Sequence, residues 1–233
     1  MAGKESIFTR ETFRFFADLE RNNRKEWMHQ NRERYDTKVV APFRLLLAEL
    51  TPVAKTLNPS FETGGRTGQN FSRINRDIRF SKDKTPYRPQ MYLMLSEPAP
   101  KGQETGQFYV GLTPEVVTAG FRIYGDRKKG PLAELTRPRA QANLAWLATR
   151  AKKLGRKYES YWHYTEKGEW AKKEGWPVKA EDWAKLQAWI VRRKMKPADA
   201  TKPGFRKEVE KVFKDLMPLW GITSAVEWQP REE

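Results

Sequence analysis

The sequence lacks cysteine and has little histidine, and both shortages limit its chemistry. Its 233 residues include no cysteine and two histidines, His29 and His163. Without cysteine there is no disulfide bond, thiolate nucleophile or cysteine-ligated zinc, which is compatible with a reducing compartment. Two histidines are too few for a histidine-rich metal site, and no nucleophile-elbow motif surrounds a serine. We therefore predict no metal site, and the sequence leaves any cofactor unknown.

Long hydrophobic runs are absent as well. The most apolar window, VVAPFRLLLAEL, is shorter than a membrane span and contains charged residues. The opening residues, MAGKESIFTRETF, contain no apolar stretch of the kind that a signal peptide needs. We expect a soluble, cytoplasmic protein that does not enter a membrane.

Acidic residues are scarce relative to basic ones. The chain has 45 Lys and Arg against 29 Asp and Glu, a formal net charge of +16 and an isoelectric point near 10.0. Such a field attracts nucleic acid, other polyanions and anionic lipid surfaces, although proteins that are merely basic and soluble also have it. A hydrophobic content of 38% still provides the material for a folded core.

The hydrophobic pattern divides the chain into three parts, which we expect to form a single α+β domain over residues 1–233. Residues 1–60 follow a helical period, and residues 70–125 follow the period of two that is typical of strands. Residues 130–220 are expected to be mostly helical, with an irregular aromatic segment at residues 155–180.

Start and stop signals place the helices more closely. One helix is expected to begin at Thr9 and another after Asn23, with a bend at Pro42 and an end near Leu57. Later helices are predicted at Leu132 and Leu135, from Leu144 to Gly155, from Trp183 to Ile190, and from Phe205 to Leu216 after Pro203.

The alternating part predicts an antiparallel meander of about four or more strands, covered by helices from the N- and C-terminal parts. The first predicted strand places Ile74, Ile78 and Phe80 on one apolar face. Met91, Leu93 and Leu95 mark the second strand, and GQFYVGL and EVVTAGFRIY mark two more.

The Arg-rich stretch, RINRDIRFSKDKTPYR from Arg73 to Arg88, contains an unusual concentration of cations. Residues two apart on a strand project from the same face, so its polar residues would share one face with those of the next strands. Guanidinium groups bind phosphate or carboxylate through paired hydrogen bonds, and tyrosines add hydroxyl donors and stacking surfaces. We therefore predict an anion-binding face formed by Arg73, Asn75, Arg79, Lys82, Lys84, Arg88, Tyr92 and Arg122.

An alternative is a solvent-facing sheet with cross-strand ion pairs, in which Asp77 and Asp83 hold the neighbouring arginines. Surface pairs contribute only ~0–1 kcal/mol each, so stability alone is a weak reason for so many cations. Arg76 falls on the apolar face, and it should therefore have a buried carboxylate partner or reach the sheet edge.

The same stretch contributes to a family resemblance. Together with FFADLERNNRKEWMHQNRERYDTKVVAPFRLLLAEL and FYVGLTPEVVTAGFRIY, it resembles the conserved hypothetical proteins of bacteria and fungi known as domain of unknown function 2461. The resemblance extends to about Leu135, and KPGFRKEVEKVFKDLMPLW is similar to the closing helix of that family. It implies the same kind of domain, and it implies no activity or cofactor.

A second basic region, RPRAQANLAWLATRAKKLGRKY, contains no acidic residue. If this region is helical, Arg150, Lys153 and Lys157 would lie on one side, where they could contact a nucleic-acid phosphate backbone. The following YESYWHYTEKGEW interleaves aromatic rings with charges, as single-stranded nucleic-acid sites do. The same rings could equally fill a small core.

Three functions are open from the sequence. The first is a protein that binds nucleic acid or another phosphate-bearing ligand through the arginine- and tyrosine-rich face. The second is an enzyme on a phosphate-bearing substrate, with an arginine clamp and with Asp77 as base or metal ligand. The third is an interaction module that binds an unknown protein partner through the aromatic segment around Trp170.

Overall fold

The fold is α+β, as the sequence predicts. The computed structural model describes residues 6–98, 105–125 and 136–224. The helices are α1 (Arg10–Arg21), α2 (Lys25–Gln30), α3 (Arg32–Tyr35), α4 (Ala41–Leu57), α5 (Thr136–Ala142), α6 (Leu144–Leu154), α7 (Ala180–Lys185), α8 (Pro197–Ala200) and α9 (Phe205–Thr223). The strands are β1 (Met91–Leu95), β2 (Gln107–Leu112), β3 (Val117–Tyr124), β4 (Glu159–Glu166), β5 (Glu169–Glu174) and β6 (Ala188–Met195).

The six strands of the described residues form one antiparallel sheet in the order β1-β2-β3-β6-β4-β5. The first three are neighbours both in sequence and in the sheet, as expected for the last three strands of the predicted meander. β4 pairs with β6 in a register that places Glu159 opposite Arg192, and it pairs with β5 in a register that places Tyr161 opposite Glu174.

The chain divides into two compact units. Unit 1 holds the chain up to Leu95, together with Tyr109–Thr118 and Lys194–Lys211. Unit 2 holds Ser96–Phe108, Ala119–Arg193 and the chain from Val212 onward. A single domain over residues 1–233 stays a prediction.

Aromatic side chains from the N-terminal part of the chain and from the start of α9 pack together in the core of unit 1. The Phe8 ring contacts Phe43 and Phe205 edge-on, with centroids 5.1 and 5.8 Å away. α1 begins directly after Thr9 and α4 ends at Leu57, as expected from the helical period.

A π-helical turn, Asp36–Val40, joins α3 to α4 close to the predicted bend at Pro42. Proline has no N–H, so Pro42 cannot donate to the carbonyl of Lys38 four residues earlier. That carbonyl accepts a 2.7 Å hydrogen bond from Oγ1 of the buried Thr12. Turns of this kind frequently occur at functional sites.

Tryptophan rings dominate the core of unit 2. Trp189 contacts Phe121, Trp176 and Trp183 with centroids 5.8, 5.7 and 5.5 Å away. Gly120 allows β3 to pass close to β6, because a Cβ atom there would lie 2.2 Å from the Val191 carbonyl oxygen.

Several elements differ from the sequence prediction. Residues 155–180, expected to be irregular, contain the β4–β5 hairpin, whose two loop residues Lys167 and Gly168 have φ of 51° and 83°. Positive φ at both positions is typical of the type I′ turn. The predicted helix from Trp183 to Ile190 is instead the end of α7 followed by the start of β6.

Smaller differences concern helix ends. α2 begins after Arg24 rather than after Asn23, and α9 begins at Phe205 as predicted but continues to Thr223, beyond Leu216. The helix predicted at Leu132 and Leu135 lies outside the described residues. Within the described ranges, no helix has both the length and the apolar character that a membrane crossing requires.

Candidate anion-binding site

The Arg-rich stretch does not form the predicted first strand. It forms the outer part of an irregular hairpin that leads into β1, with isolated bridges from Phe71 to Leu93 and from Asn75 to Tyr87. Beyond Asn75 the alternation fails, because Phe80, expected on the apolar face, is 95% exposed. The cations of this stretch therefore do not share one face of a sheet.

Two asparagine side chains hold the hairpin in place. The buried Asn70 side chain makes three hydrogen bonds of 2.7–3.0 Å to backbone groups on both sides of it in the chain. Asn23 donates to the Tyr87 carbonyl at 2.9 Å and accepts from the Tyr87 N–H at 3.0 Å. The two arms of the hairpin are thus fixed to the rest of unit 1 by buried or half-buried amides.

A cleft of about 180 Å³ opens in unit 1 beside this hairpin. Three arginines from different elements line it, and we call it the arginine cleft: Arg32 of α3, Arg44 of α4 and Arg73 of the hairpin. Ser72 and Asn75 also line it, and no described acidic residue does. Of the predicted anion-binding residues, the structure brings Arg73 and Asn75 together here.

Two of the three guanidinium groups in the arginine cleft lack a counter-charge. Arg44 and Arg73 are exposed, and neither side chain makes a hydrogen bond or ion pair with another described residue. Arg32 differs, because its Nε donates to Asp36 at 3.0 Å and its guanidinium lies 5.4 Å from the Tyr35 ring centroid. Like charges that line one cleft repel each other, so a bound anion would relieve the repulsion.

The buried Tyr35 also lines the arginine cleft. Burial raises the pKa of Tyr35 above its usual value, and the charge of Arg32 only partly opposes this rise. The hydroxyl therefore stays protonated at neutral pH and can donate a hydrogen bond.

The lysines of the predicted site and Arg79 lie in what we call the tip loop of the hairpin, residues 77–84. Arg79 donates to Asp77 through Nε at 2.9 Å and Nη2 at 2.7 Å. Lys84 Nζ donates to the Ile78 carbonyl at 3.0 Å. Lys82 is exposed and has no side-chain bond to another described residue.

Asp77 is poorly placed for the catalytic role suggested from the sequence. Both its carboxylate oxygens accept from Arg79, which lowers the pKa of Asp77 and so makes it a weaker base. It does not line the arginine cleft. No three His, Asp or Glu residues of the described chain form a group that could hold a metal ion. A catalytic role for Asp77 stays a prediction.

Arg76 closes the base of the tip loop. Its guanidinium donates to Asp83, to Thr85 and, at 3.4 Å, to Ser81. The bond from Arg76, followed by the bonds from Thr85, lowers the pKa of Asp83 to about 2. Arg76 therefore has the carboxylate partner that the sequence requires, although that partner is exposed rather than buried.

The other predicted anion-binding residues lie elsewhere. Arg88 is exposed, and its backbone N–H donates to the Ile74 carbonyl at 2.8 Å. The Tyr92 ring packs over Gly111, where a Cβ atom would lie 2.3 Å from the ring. Arg122 belongs to unit 2, and its Nε donates to Gln107 at 3.3 Å.

The second basic region divides into one buried and two exposed cations. Arg150 of α6 is 8% exposed, and its guanidinium lies 5.2 Å from the Trp146 ring centroid. Lys153 is exposed on α6, and Lys157 is exposed beyond its end. Phosphate contact by these residues stays a prediction. Because Arg150 is buried, it offers little accessible surface to a phosphate group.

The sequence left two interpretations of the aromatic segment: rings that bind nucleic acid and rings that fill a small core. The segment has both accessible and buried rings. Trp162 is buried, whereas His163 and Trp170 are half-buried and, with Tyr124 and Lys172, line a cavity of about 410 Å³ in unit 2. Binding of a protein partner through Trp170 stays a prediction.

Sequence reasoning missed Arg32 and Arg44. Both lie in the helical part, where an exposed arginine is ordinary, and only tertiary packing places them beside Arg73. The sequence did carry one signal near Arg44. Pro42 lies two residues before it and indicates that the helix is interrupted there.

Comparison with known proteins adds a family to this geometry. A family model described as "Conserved hypothetical protein (DUF2461)" matches residues 11–221. The match includes the middle segment, which the resemblance from sequence did not reach. Comparison with curated proteins gives no match.

Proposed function

We propose, from the premise that the chain belongs to the family of conserved hypothetical proteins DUF2461, that it binds an anionic group of its ligand in the arginine cleft. The family description names no activity, so the proposal rests on the site. Its main support is that Arg44 and Arg73, from different elements, line one cleft without a counter-charge. Guanidinium groups bind phosphate and carboxylate through two parallel hydrogen bonds.

The size of the arginine cleft limits what it accepts. Its volume of about 180 Å³ is below the roughly 300–1,000 Å³ of pockets that enclose a whole small molecule. It suits one phosphate or carboxylate group, with the rest of the ligand outside. The net charge of +16 favours a ligand with several such groups, and nucleic acid fits that description.

Calorimetric titration with inorganic phosphate, pyrophosphate and citrate at low salt tests this function. We expect Arg44→Gln and Arg73→Gln each to weaken binding about tenfold to a hundredfold, since a hydrogen bond to a charged group contributes ~1.5–3 kcal/mol. Arg10→Gln is the matched control: it removes the same charge from an exposed position on α1 outside the arginine cleft. Equal losses in all three variants would show a general field effect and reject the cleft.

An enzyme acting on a phosphate-bearing substrate is a second proposal, because the same arginine clamp would also stabilise a reacting phosphate. Its support is the π-helical turn whose last residue, Val40, lines the arginine cleft. The pairing of Asp77 with Arg79 gives no support to Asp77 as its base.

A further inference from the structure

The tip loop holds a phenylalanine in solvent. Phe80 is 95% exposed, whereas the next most exposed large apolar residues of the described chain, Leu45 and Tyr124, are 49% and 48% exposed. A single exposed apolar side chain is common and by itself indicates nothing. A role for Phe80 in ligand binding must therefore be argued from the residues around it.

The tip loop is held in one arrangement by its own side chains. Arg76 donates to Asp83 and Thr85 across its base, and Lys84 Nζ donates to the Ile78 carbonyl at 3.0 Å. A ring presented by such a braced loop loses little conformational freedom on binding, which favours affinity.

Two cations of the tip loop, Arg79 and Lys82, flank the exposed ring in sequence. The Arg79 guanidinium lies 5.8 Å from the Phe80 centroid, and Lys82 is exposed without a bond to another described residue. The two carboxylates of the tip loop are already engaged, Asp77 by Arg79 and Asp83 by Arg76. Two hydrogen bonds to Asp77 fix the Arg79 guanidinium. This group is planar, so it provides a second flat surface beside the Phe80 ring on which a base could stack.

We propose that the tip loop binds single-stranded nucleic acid, with Phe80 stacked on a base and Arg79 and Lys82 against the neighbouring phosphates. An aromatic ring beside cations is the arrangement that binds single strands without regard to sequence. The inference rests on the proposed function in one respect: a second phosphate of the same strand would bind in the arginine cleft.

The geometry favours this ligand over two others. A duplex keeps its bases stacked, so a protruding ring would have to unstack them at a cost in free energy that a single strand does not impose. Binding to an anionic membrane grows with the apolar area that is buried, and a single phenylalanine beside the carboxylate of Asp77 buries little.

Fluorescence anisotropy with a labelled single strand of about 12 nucleotides tests the proposal, a length within the usual range of such sites. We expect Phe80→Ala to weaken binding about 5- to 100-fold, and Phe80→Trp to retain it. Leu45→Ala, which removes another exposed apolar side chain of unit 1, should leave binding unchanged. On an abasic strand of equal length, Phe80→Ala should have no effect, because the charge remains and the bases are gone.

Parallel titration with inorganic phosphate separates this proposal from the proposed function. Phe80→Ala should bind phosphate as the unsubstituted protein does, whereas Arg73→Gln should not. Unchanged phosphate affinity in Arg73→Gln would reject the arginine cleft, and a base-dependent loss in Phe80→Ala would still support the tip loop. Equal losses on abasic and ordinary strands, or no loss, would overturn the tip-loop proposal. Phe80-dependent binding to phosphatidylserine vesicles without binding to the oligonucleotide would also overturn it.

Discussion

Asp83 shows how one carboxylate can hold an exposed loop in a single arrangement. It accepts hydrogen bonds from Arg76 and from the N–H and hydroxyl of Thr85, the latter two at 2.9 and 2.8 Å. These bonds are made to the charged form, so they favour it. The tip loop, and with it the position of Phe80, therefore depends on an ionised Asp83.

The titration of Asp83 follows from these contacts. Its pKa is lowered from 3.8 to about 2, chiefly by the bond from Arg76. Because the folded pKa is depressed, the pairing stabilises the tip loop fully above pH 3.8 and is lost as the pH falls through about 2. We expect carboxyl NMR to give Asp83 a midpoint near 2, rising toward 3.8 in Arg76→Gln. A midpoint that Arg76→Gln leaves unmoved would contradict the assignment.

Among the elements, the π-helical turn Asp36–Val40 joins the packing of unit 1 to the arginine cleft. Its last residue, Val40, lines the cleft, and its middle residue, Lys38, is bonded through its carbonyl to Thr12 of α1. Because Pro42 removes the α-helical donor for this carbonyl, Thr12 supplies a donor in its place.

A double-mutant cycle tests whether the Thr12 hydroxyl replaces the backbone N–H that Pro42 lacks. We expect Thr12→Val to lower the free energy of unfolding by ~0.5–1.5 kcal/mol, since it removes a partly buried hydrogen bond to a carbonyl that has no α-helical donor. In a Pro42→Ala background the loss should be smaller, because the introduced alanine has the N–H that proline lacks. Urea unfolding measures both values, and Thr12→Ser, which keeps the hydroxyl, is the control. Equal losses in the two backgrounds would show that Pro42 does not create the need for Thr12.

The Arg-rich stretch shows why the alternation of apolar and polar residues predicted a first strand that does not form. Ile74 obeys the pattern and is buried, but the pairing with the second arm ends after the bridge from Asn75 to Tyr87. Beyond it, backbone groups have local side-chain partners in place of a strand ladder: Asp77 accepts from the Arg79 N–H, Asp83 accepts from the Thr85 N–H, and Lys84 donates to the Ile78 carbonyl. Such bonds compete with secondary structure, and a period of two does not reveal them.

The elements missed in the second half have a different cause. The apolar run that begins at Ala188 is buried, and periodicity cannot distinguish a short buried strand from a buried helix. The β4–β5 hairpin did carry a signal, a two-residue Lys167-Gly168 loop between alternating segments. Lysine at the first position is not the asparagine or aspartate usually found there, and the signal was correspondingly weak.

The candidate site was predictable only where it depends on local sequence. Arg73 and Asn75 could be named because they lie two apart in the Arg-rich stretch. Arg32 and Arg44 could not, because their place in the arginine cleft depends on how α3 and α4 pack against the hairpin.

For the whole molecule, the count of 45 Lys and Arg residues overstates the positive charge that a ligand meets. Many cations are paired within their own unit: Arg206 with Glu49 and Glu210, and Arg192 with Glu159. Half-buried or exposed pairs of this kind add little stability, but they do remove charge from the surface. A polyanion therefore meets the residual cations, and their number sets the salt dependence of its binding.

The exposed lysines of the second basic region provide the test of that dependence. If the protein binds single-stranded nucleic acid through them, Lys153→Gln with Lys157→Gln should reduce the slope of log affinity against log salt by about 1.4, since each phosphate contact contributes ~0.7. Arg150→Gln should instead lower the melting temperature and leave the slope unchanged, because Arg150 is buried against Trp146. Anisotropy over a salt series and thermal unfolding measure the two effects. An unchanged slope in the lysine variant would place the nucleic acid elsewhere, and a slope change in Arg150→Gln without loss of stability would show that this arginine leaves its pocket to bind phosphate.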